Sequence, residues 1–123
     1  WLKMYQATKD EKYLSQAKAT LASSEAKWYN SINGALNDHG YFAFSIIDSW
    51  FDMYDTDKNT VWLTKAFHAI NFIHNKLRDG NGRYPEHWGT PTTSNLEKYD
   101  LRFSTVAAYM YMRAANYKRI LND

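Results

Sequence analysis

The sequence predicts an all-α fold built from antiparallel helical hairpins, and three features support this prediction. In five segments, apolar residues recur at the three- and four-residue spacing of an amphipathic helix. Turns rich in Gly, Asn and Asp separate these segments, and no segment shows the alternating pattern of a β-strand. A sequence repeat with a constant spacing of 49 residues also relates the first hairpin to the second. The matching pairs are Trp1 and Trp50, Met4 and Met53, Tyr5 and Tyr54, Tyr13 and Trp62, Leu14 and Leu63, and Ala17 and Ala66.

The first two helices are expected to form one hairpin. Apolar residues stand at helical spacing from Trp1 onward with no capping residue ahead of them, so we expect residues 1–7 to be the end of a helix. Residues 8–10 form a tight turn in which Asp10 is suited to cap the second helix. The second helix is expected to run to about Tyr29. We therefore interpret residues 1–123 as a single fragment, the C-terminal part of a larger helical domain.

The third and fourth helices repeat this hairpin. Residues 41–55 have almost no polar face, which predicts a helix buried on most sides. Residues 56–59 form the next tight turn, with Asn59 or Asp57 as the cap. The fourth helix then covers residues 61–77.

The two long connections are predicted to lie at one end of the molecule. Antiparallel neighbours place alternate connections at opposite ends, so the short turns at residues 7–10 and 56–59 share one end. The loops at residues 30–40 and 78–102 share the other end, which we call the long-loop face. The last helix, over residues 103–121, begins there. Long loops and helix N-termini favour polar ligands, so this face is the predicted site.

Composition excludes several classes of function. The net charge is only +2 and no long basic block is present, which argues against nucleic-acid binding. No apolar run approaches the ~20 residues that span a membrane, and no signal-peptide pattern is present. There is no Cys, and His68 and His74 are spaced so that they do not share a helix face, so no metal site or other cofactor is expected. Aromatic residues make up 17%, more than a small core needs, so some are expected to line a groove.

The loop RDGNGRYPEHWGTP, residues 78–91, is the most distinctive stretch of the long-loop face. Gly80 and Gly82 permit positive φ on either side of Asn81, and Pro85 stiffens the exit from the turn. A polar and aromatic cluster follows. The pattern predicts a shaped loop that contacts a polar ligand.

Three segments together resemble a known enzyme family. They are LKMYQATKDEKYLSQA (2–17), HGYFAFSIIDSWFDMY (39–54) and RDGNGRYPEHWGTP (78–91). Followed by a final helix rich in small residues, they resemble the C-terminal portion of glycoside hydrolase family 76, the endo-α-1,6-mannanase family. The resemblance implies an (α/α)6 toroid, of which this chain would supply about five helices.

The resemblance also implies a function, and it implies which part of the function this chain contributes. Members of the family use two adjacent Asp residues for retaining cleavage of an α-mannosidic bond. No adjacent Asp pair occurs here, so the catalytic pair is expected outside this chain and no catalytic residue is assigned. The expected partners are a polysaccharide or oligosaccharide substrate and the remaining N-terminal part of the toroid. The family favours a secreted or cell-envelope location. The residues predicted to bind substrate on the cleft wall are Asp38, His39, Tyr41, Tyr84, His87 and Trp88.

Alternatives remain at the level of residues and of function. Trp88 is equally suited to staple the loop to the helix ends, and Asp38 is equally suited to cap the third helix. His39 and His87 are suited to hydrogen bonding within the loops. The chain is also compatible with another toroidal carbohydrate-active enzyme, such as an epimerase, an unsaturated-uronyl hydrolase or a polysaccharide lyase. A non-catalytic helical-repeat binding module is a further alternative.

Overall fold

A computed structural model describes residues 1–118, and this part of the chain is all-α as predicted. The helices are α1 (Leu2–Thr8), α2 (Glu11–Trp28), α3 (Gly40–Asp57), α4 (Val61–Phe72) and α5 (Leu101–Ala115), and α4 continues into a π-helical turn over Ile73–Leu77. Outside the helices, two isolated β-bridges join Tyr29 to Leu36 and His39 to His87. Within residues 1–118 no strand forms, and no helix is long and apolar enough to cross a membrane.

Several predicted boundaries need correction. The last helix begins at Leu101 rather than residue 103, and residues 116–118 form a turn instead of continuing it; residues 119–121 lie outside the described part. At the start of α4 the N-cap position is Thr60, although the Asn59 side chain still accepts a hydrogen bond from Val61 N at 3.1 Å. The last five residues predicted for α4 form the π-helical turn.

The third helix is the centre of the core. α3 packs against α2, α4 and α5, and its Ile47, Trp50 and Phe51 are 0% exposed. The Trp50 indole donates to Glu25 Oε1 at 2.5 Å, and Lys65 Nζ lies 2.6 Å from the other oxygen of that carboxylate. This bridge connects α2, α3 and α4 at one point. The prediction that the third helix is buried on most sides is confirmed.

A cationic clamp holds α5 against α3. Arg113 donates to the carboxylates of Asp48 and Asp52, and its guanidinium lies 4.0 Å from Asp55. These acids follow one another at helical spacing along one side of α3. Burial alone would lower the pKa of Arg113, but the hydrogen bonds that it donates to Asp52 and Asp48 raise this pKa above its ordinary value. The positive charge of Arg113 therefore compensates part of the negative charge of these three acids on α3.

The sequence repeat is also a repeat of local geometry. Lys9 and Lys58, one spacing apart, both end a helix with a left-handed φ of 58°. Their ammonium groups lie 5.6 Å and 5.2 Å from the rings of Tyr5 and Tyr54. In the same way, the Asp10 side chain accepts from the amide of Lys12 at 3.0 Å, just as that of Asn59 accepts from Val61. The hairpin turns thus reuse one set of contacts.

The two long loops meet at one end of the helices, as predicted. Gly40 N donates to Glu86 O at 2.8 Å, and Trp88 N donates to Asp38 O at 2.9 Å. Farther along, Thr92 N donates to the carbonyl of Lys76 at 2.8 Å. The N-termini of α3 and α5 lie at this same end, which gives the long-loop face a continuous backbone framework.

Candidate functional site

Asp79 organises the first half of the long loop. Its carboxylate accepts hydrogen bonds from the amides of Asn81 (2.9 Å), Arg83 (2.8 Å) and Leu96 (3.0 Å), and from Arg83 Nε (2.9 Å). Burial raises the pKa of this carboxyl group, but the hydrogen bonds outweigh burial and hold the pKa at about 2. Asp79 therefore fixes the turn as a buried anion.

The turn that Asp79 closes uses only one of the two glycines in the expected way. Gly82 has a φ of 79°, and its amide donates to the Asp79 carbonyl at 3.0 Å. Gly80 does not adopt positive φ, which corrects the prediction for it. Its amide instead donates to the side chain of Asn95 at 3.1 Å. The two ends of the loop are thereby tied together.

Trp88 lies inside the protein and packs across the start of α3. The side chain is 0% exposed, and its Nε1 has no hydrogen-bond partner among residues 1–118. The indole lies directly over Gly40, where an added Cβ would come within 2.3 Å of Nε1 and Cε2. This geometry favours the stapling role for Trp88 over stacking on a ligand, because no ring face is open to solvent.

The two loop histidines lie side by side on the exposed surface. The rings of His39 and His87 have centroids 5.8 Å apart, and their backbones form the β-bridge. His39 Nδ1 lies 3.0 Å from Glu86 Oε1. His87 Nδ1 accepts from Gly89 N at 3.3 Å, so its Nε2 carries the proton in the neutral ring and points away from this bond. The pair presents both a hydrogen-bond donor and an anion-paired imidazole to solvent.

Asp38 accepts two hydrogen bonds that hold the segments of His39 and His87 in position. Its Oδ1 accepts from His39 N at 2.7 Å, and its carbonyl accepts from Trp88 N. His39 occupies the N-cap position of α3 and its side chain makes no cap hydrogen bond, so Asp38 lies one residue before the cap. The Asp38 carboxylate therefore bonds to the backbone amide of the N-cap residue, His39, and not to an amide of the first helical turn.

The two predicted tyrosines occupy different environments. Tyr41 is 51% exposed and its ring meets Phe42 edge-on at 5.7 Å. Tyr84 is only 7% exposed, and its hydroxyl is 2.8 Å from the hydroxyl of Tyr111. Burial and this bond raise the pKa of Tyr111 above its ordinary value. Tyr41 is therefore available to a ligand, whereas the hydroxyl of Tyr84 already has a partner.

A cleft of about 290 Å³ adjoins these residues, and sequence reasoning missed it. Glu86, Tyr99 and Arg102 are among the residues that line it. Arg102 is fixed at the N-terminus of α5 because its guanidinium pairs with the capping residue Asp100 at 2.6 Å. The only sequence signal was the tripeptide Asp100-Leu101-Arg102, which has the form of a capped helix start.

The side chains of the long-loop face are suited to binding a ligand. Four carboxylates there already have partners: Asp38 bonds to a backbone amide, Asp79 and Asp100 pair with arginines, and Glu86 pairs with His39. The exposed imidazoles and Tyr41 provide hydrogen-bonding groups and one open ring face, a combination suited to sugars. In the described residues no group of three or more His, Asp or Glu side chains is arranged to hold a metal ion.

Comparison with known proteins adds one decisive finding. No protein-family model matches the sequence, and no curated protein shows significant similarity to it. Among solved structures, the chain matches a selenomethionine derivative of the GH76 alpha-mannanase from Bacteroides thetaiotaomicron with 99% sequence identity and a TM-score of 0.96. The resemblance to glycoside hydrolase family 76 is confirmed. The match covers 100% of this chain and 34% of the matched protein, so the chain corresponds to a portion of a longer family 76 protein.

The match also confirms the predicted architecture. The helical hairpins are part of the helical toroid of a family 76 domain. The assignment of Asp38, His39, Tyr41, Tyr84, His87 and Trp88 to substrate binding remains a prediction. The geometry divides these residues into an exposed set, His39, Tyr41 and His87, and a supporting set behind them.

Proposed function

We propose that this chain is part of a glycoside hydrolase that cleaves α-mannan-like polysaccharide. In this proposal the long-loop face forms one wall of the substrate cleft, and the catalytic Asp pair belongs to the N-terminal part of the toroid outside residues 1–123. The observation that carries the proposal is the near-identity over the whole chain to a protein described as an alpha-mannanase. The engagement of the four carboxylates named above in hydrogen bonds or ion pairs supports a binding role for this portion.

Within the wall, the exposed set has distinct roles. Tyr41 provides a half-exposed ring for stacking on a sugar face, and His39 and His87 provide hydrogen bonds to hydroxyl groups. Asp38, Tyr84 and Trp88 act from behind by holding the loop and the helix start. A rigid support of this kind reduces the ordering that substrate binding would otherwise cost.

The proposal is tested with the full-length protein and α-1,6-mannan. We expect release of mannose oligomers, and we expect Tyr41→Ala to raise KM by about 2- to 12-fold, since stacking on an aromatic ring is worth ~0.5–1.5 kcal/mol. Tyr41→Phe keeps the ring and should change KM much less. Tyr5→Phe removes a hydroxyl at the opposite end, where it donates a hydrogen bond to Glu11, and serves as the control. A full-length protein that neither cleaves nor binds α-mannan would refute the proposal.

A further inference from the structure

A second polar depression lies on the outward side of α4, and none of the six residues predicted to bind substrate lines it. It encloses about 430 Å³ between α4 and the loops that carry Asn33 and Pro91. The wall contributed by the helix consists of His68, Asn71, Phe72, Asn75 and Lys76. The opposite side of α4 packs into the core through residues such as Leu63 and Ala66, both 0% exposed. The depression therefore lies on the side of α4 that faces away from the core of residues 1–118.

The side chains of this depression are dominated by carboxamides. Asn71 and Asn75 are exposed and make no side-chain hydrogen bond with any residue of the described part of the chain, 1–118. Asn33 uses its Oδ1 to accept from Ala35 N at 2.9 Å, which leaves its NH₂ group available. His68 Nδ1 is 3.0 Å from the Tyr29 hydroxyl, so its Nε2 remains available as well. Phe72, 6% exposed, supplies an apolar patch at the base.

The two asparagines of this helical segment, Asn71 and Asn75, make the helix less stable than alanine would at the same positions. Asn is a poorer helix former than Ala because its side chain competes for backbone hydrogen bonds. Neither Asn71 nor Asn75 offsets this loss of stability with a side-chain hydrogen bond among residues 1–118. Residues that break a local preference without a compensating contact mark functional sites. The π-helical turn Ile73–Leu77 begins between them, and π-helical turns occur frequently at such sites.

The hydrogen-bond donors and acceptors that line the depression indicate the chemical class of its ligand. A carboxamide offers a donor and an acceptor side by side, which matches a pair of neighbouring hydroxyl groups. No carboxylate lines the depression, and Lys76 is its one ionisable side chain other than His68. The site therefore suits a neutral polyhydroxylated ligand better than an anion, which would call for several cations. Without a carboxylate pair it cannot carry out glycoside hydrolysis itself.

We propose that this depression is a second glycan-binding site that holds a neutral oligosaccharide segment through Asn33, Asn71 and Asn75. This proposal rests on the proposed function, because the segment would belong to the same α-mannan that enters the cleft. A polysaccharide bound at two places on one protein gains from a high effective concentration at the second place. The outer site would increase the affinity for polymer and leave the cleavage of short oligosaccharides unchanged.

The test compares the double variant Asn71→Ala/Asn75→Ala with the unaltered full-length protein. Affinity for α-1,6-mannan, measured by affinity electrophoresis, is expected to fall by about threefold or more with loss of one of two linked contacts. kcat/KM for mannotetraose should not change, and the melting temperature should stay equal or rise because Ala is the better helix former. Asn116→Ala, at an exposed position near the short-turn end, is the matched control. Unchanged affinity for mannan in the folded double variant would overturn the proposal.

A direct titration separates this proposal from the proposed function. Side-chain amide signals of Asn71 and Asn75 are followed by NMR while mannotetraose is added at millimolar concentration. Shifts at these two signals in a protein that does not cleave mannan would overturn the mannanase proposal and support the outer site. The absence of shifts in an active enzyme would overturn the outer site and leave the mannanase proposal standing. Inactivity together with absent shifts would overturn both.

Discussion

Gly40→Ala is the most direct test of how the long-loop face is held together. A Cβ at this position would lie 2.3 Å from Cε2 and Nε1 of Trp88 and 2.8 Å from Cζ2. Ordinary carbon contacts are ~3.5–4.0 Å, so the indole or the helix start must shift by about an ångström or more. Trp88 is 0% exposed and belongs to the hydrophobic core. The backbones on both sides are also fixed, because Gly40 N bonds to Glu86 O and Trp88 N to Asp38 O.

The expected loss of stability follows from these contacts. Forcing extra atoms into a well-packed core costs ~1–3 kcal/mol in the free energy of unfolding. Gly40 does not have positive φ, so no backbone strain is added by the methyl group. Ala is in fact a better helix former than Gly by up to about 1 kcal/mol, which offsets part of the loss. With the full offset we expect a net destabilisation of about 0–2 kcal/mol, and the destabilising part is due to the indole.

A double-mutant cycle with Trp88→Leu isolates the contact. The smaller side chain leaves room for the methyl group, so Gly40→Ala should be neutral or slightly stabilising in the Trp88→Leu background. Urea unfolding of the four proteins should then give a coupling energy of about 1–3 kcal/mol. Gly80→Ala is the control, since its Cβ meets only the flexible side-chain end of Asn95, at 2.8 Å. An equal cost of Gly40→Ala in both backgrounds would refute the reasoning.

Two further predictions concern charged groups. The pKa of Asp79, about 2, is below the ordinary unfolded value of ~3.9, so its stabilisation is complete above that value and is lost as the pH falls towards 2. Asp79→Asn should lower stability at neutral pH and flatten the pH dependence between about 2 and 5, measured by urea unfolding; an unchanged slope would contradict this assignment. Arg113→Met leaves Asp48, Asp52 and Asp55 without their shared cation and should destabilise the protein by about 1–2 kcal/mol at low salt, given their partial exposure. The loss should shrink at high salt, and a salt-independent loss would point to packing instead.

Helices and their polarity could be predicted because they depend on local pattern. Apolar spacing locates α1 to α3 within about two residues of their observed ends and locates the start of α4, and connection lengths alone place the long loops together. The start of α5 was misplaced although Asp100, whose side chain accepts from Arg102 N at 2.9 Å, is a recognisable cap. The π-helical turn could not be foreseen from composition. It coincides with the Lys76 carbonyl accepting from Thr92, a contact between distant parts of the chain.

The candidate site could be located from the sequence but not resolved into roles. Loop composition identified the residues at 78–91, yet it could not distinguish the buried Trp88 from the exposed His87 beside it. That distinction depends on Gly40, which is far away along the chain and makes room for the indole. Asp79 followed by Gly, Asn and Gly is a local turn signal, but its bond to Leu96 is a long-range contact. Sequence patterns thus indicate which loops meet, and packing decides which side chains face the ligand.

Stability and binding are coupled at this face because neighbouring residues serve each purpose. Gly40 accommodates the buried indole of Trp88, while Tyr41 follows it in the helix and His39 precedes it, both exposed. On the loop, buried Trp88 likewise follows exposed His87. A shift of the indole therefore moves the exposed residues of both segments relative to each other. Under the proposed function, Gly40→Ala should raise KM for α-mannan as well as reduce stability, although neither Gly40 nor the indole contacts the substrate.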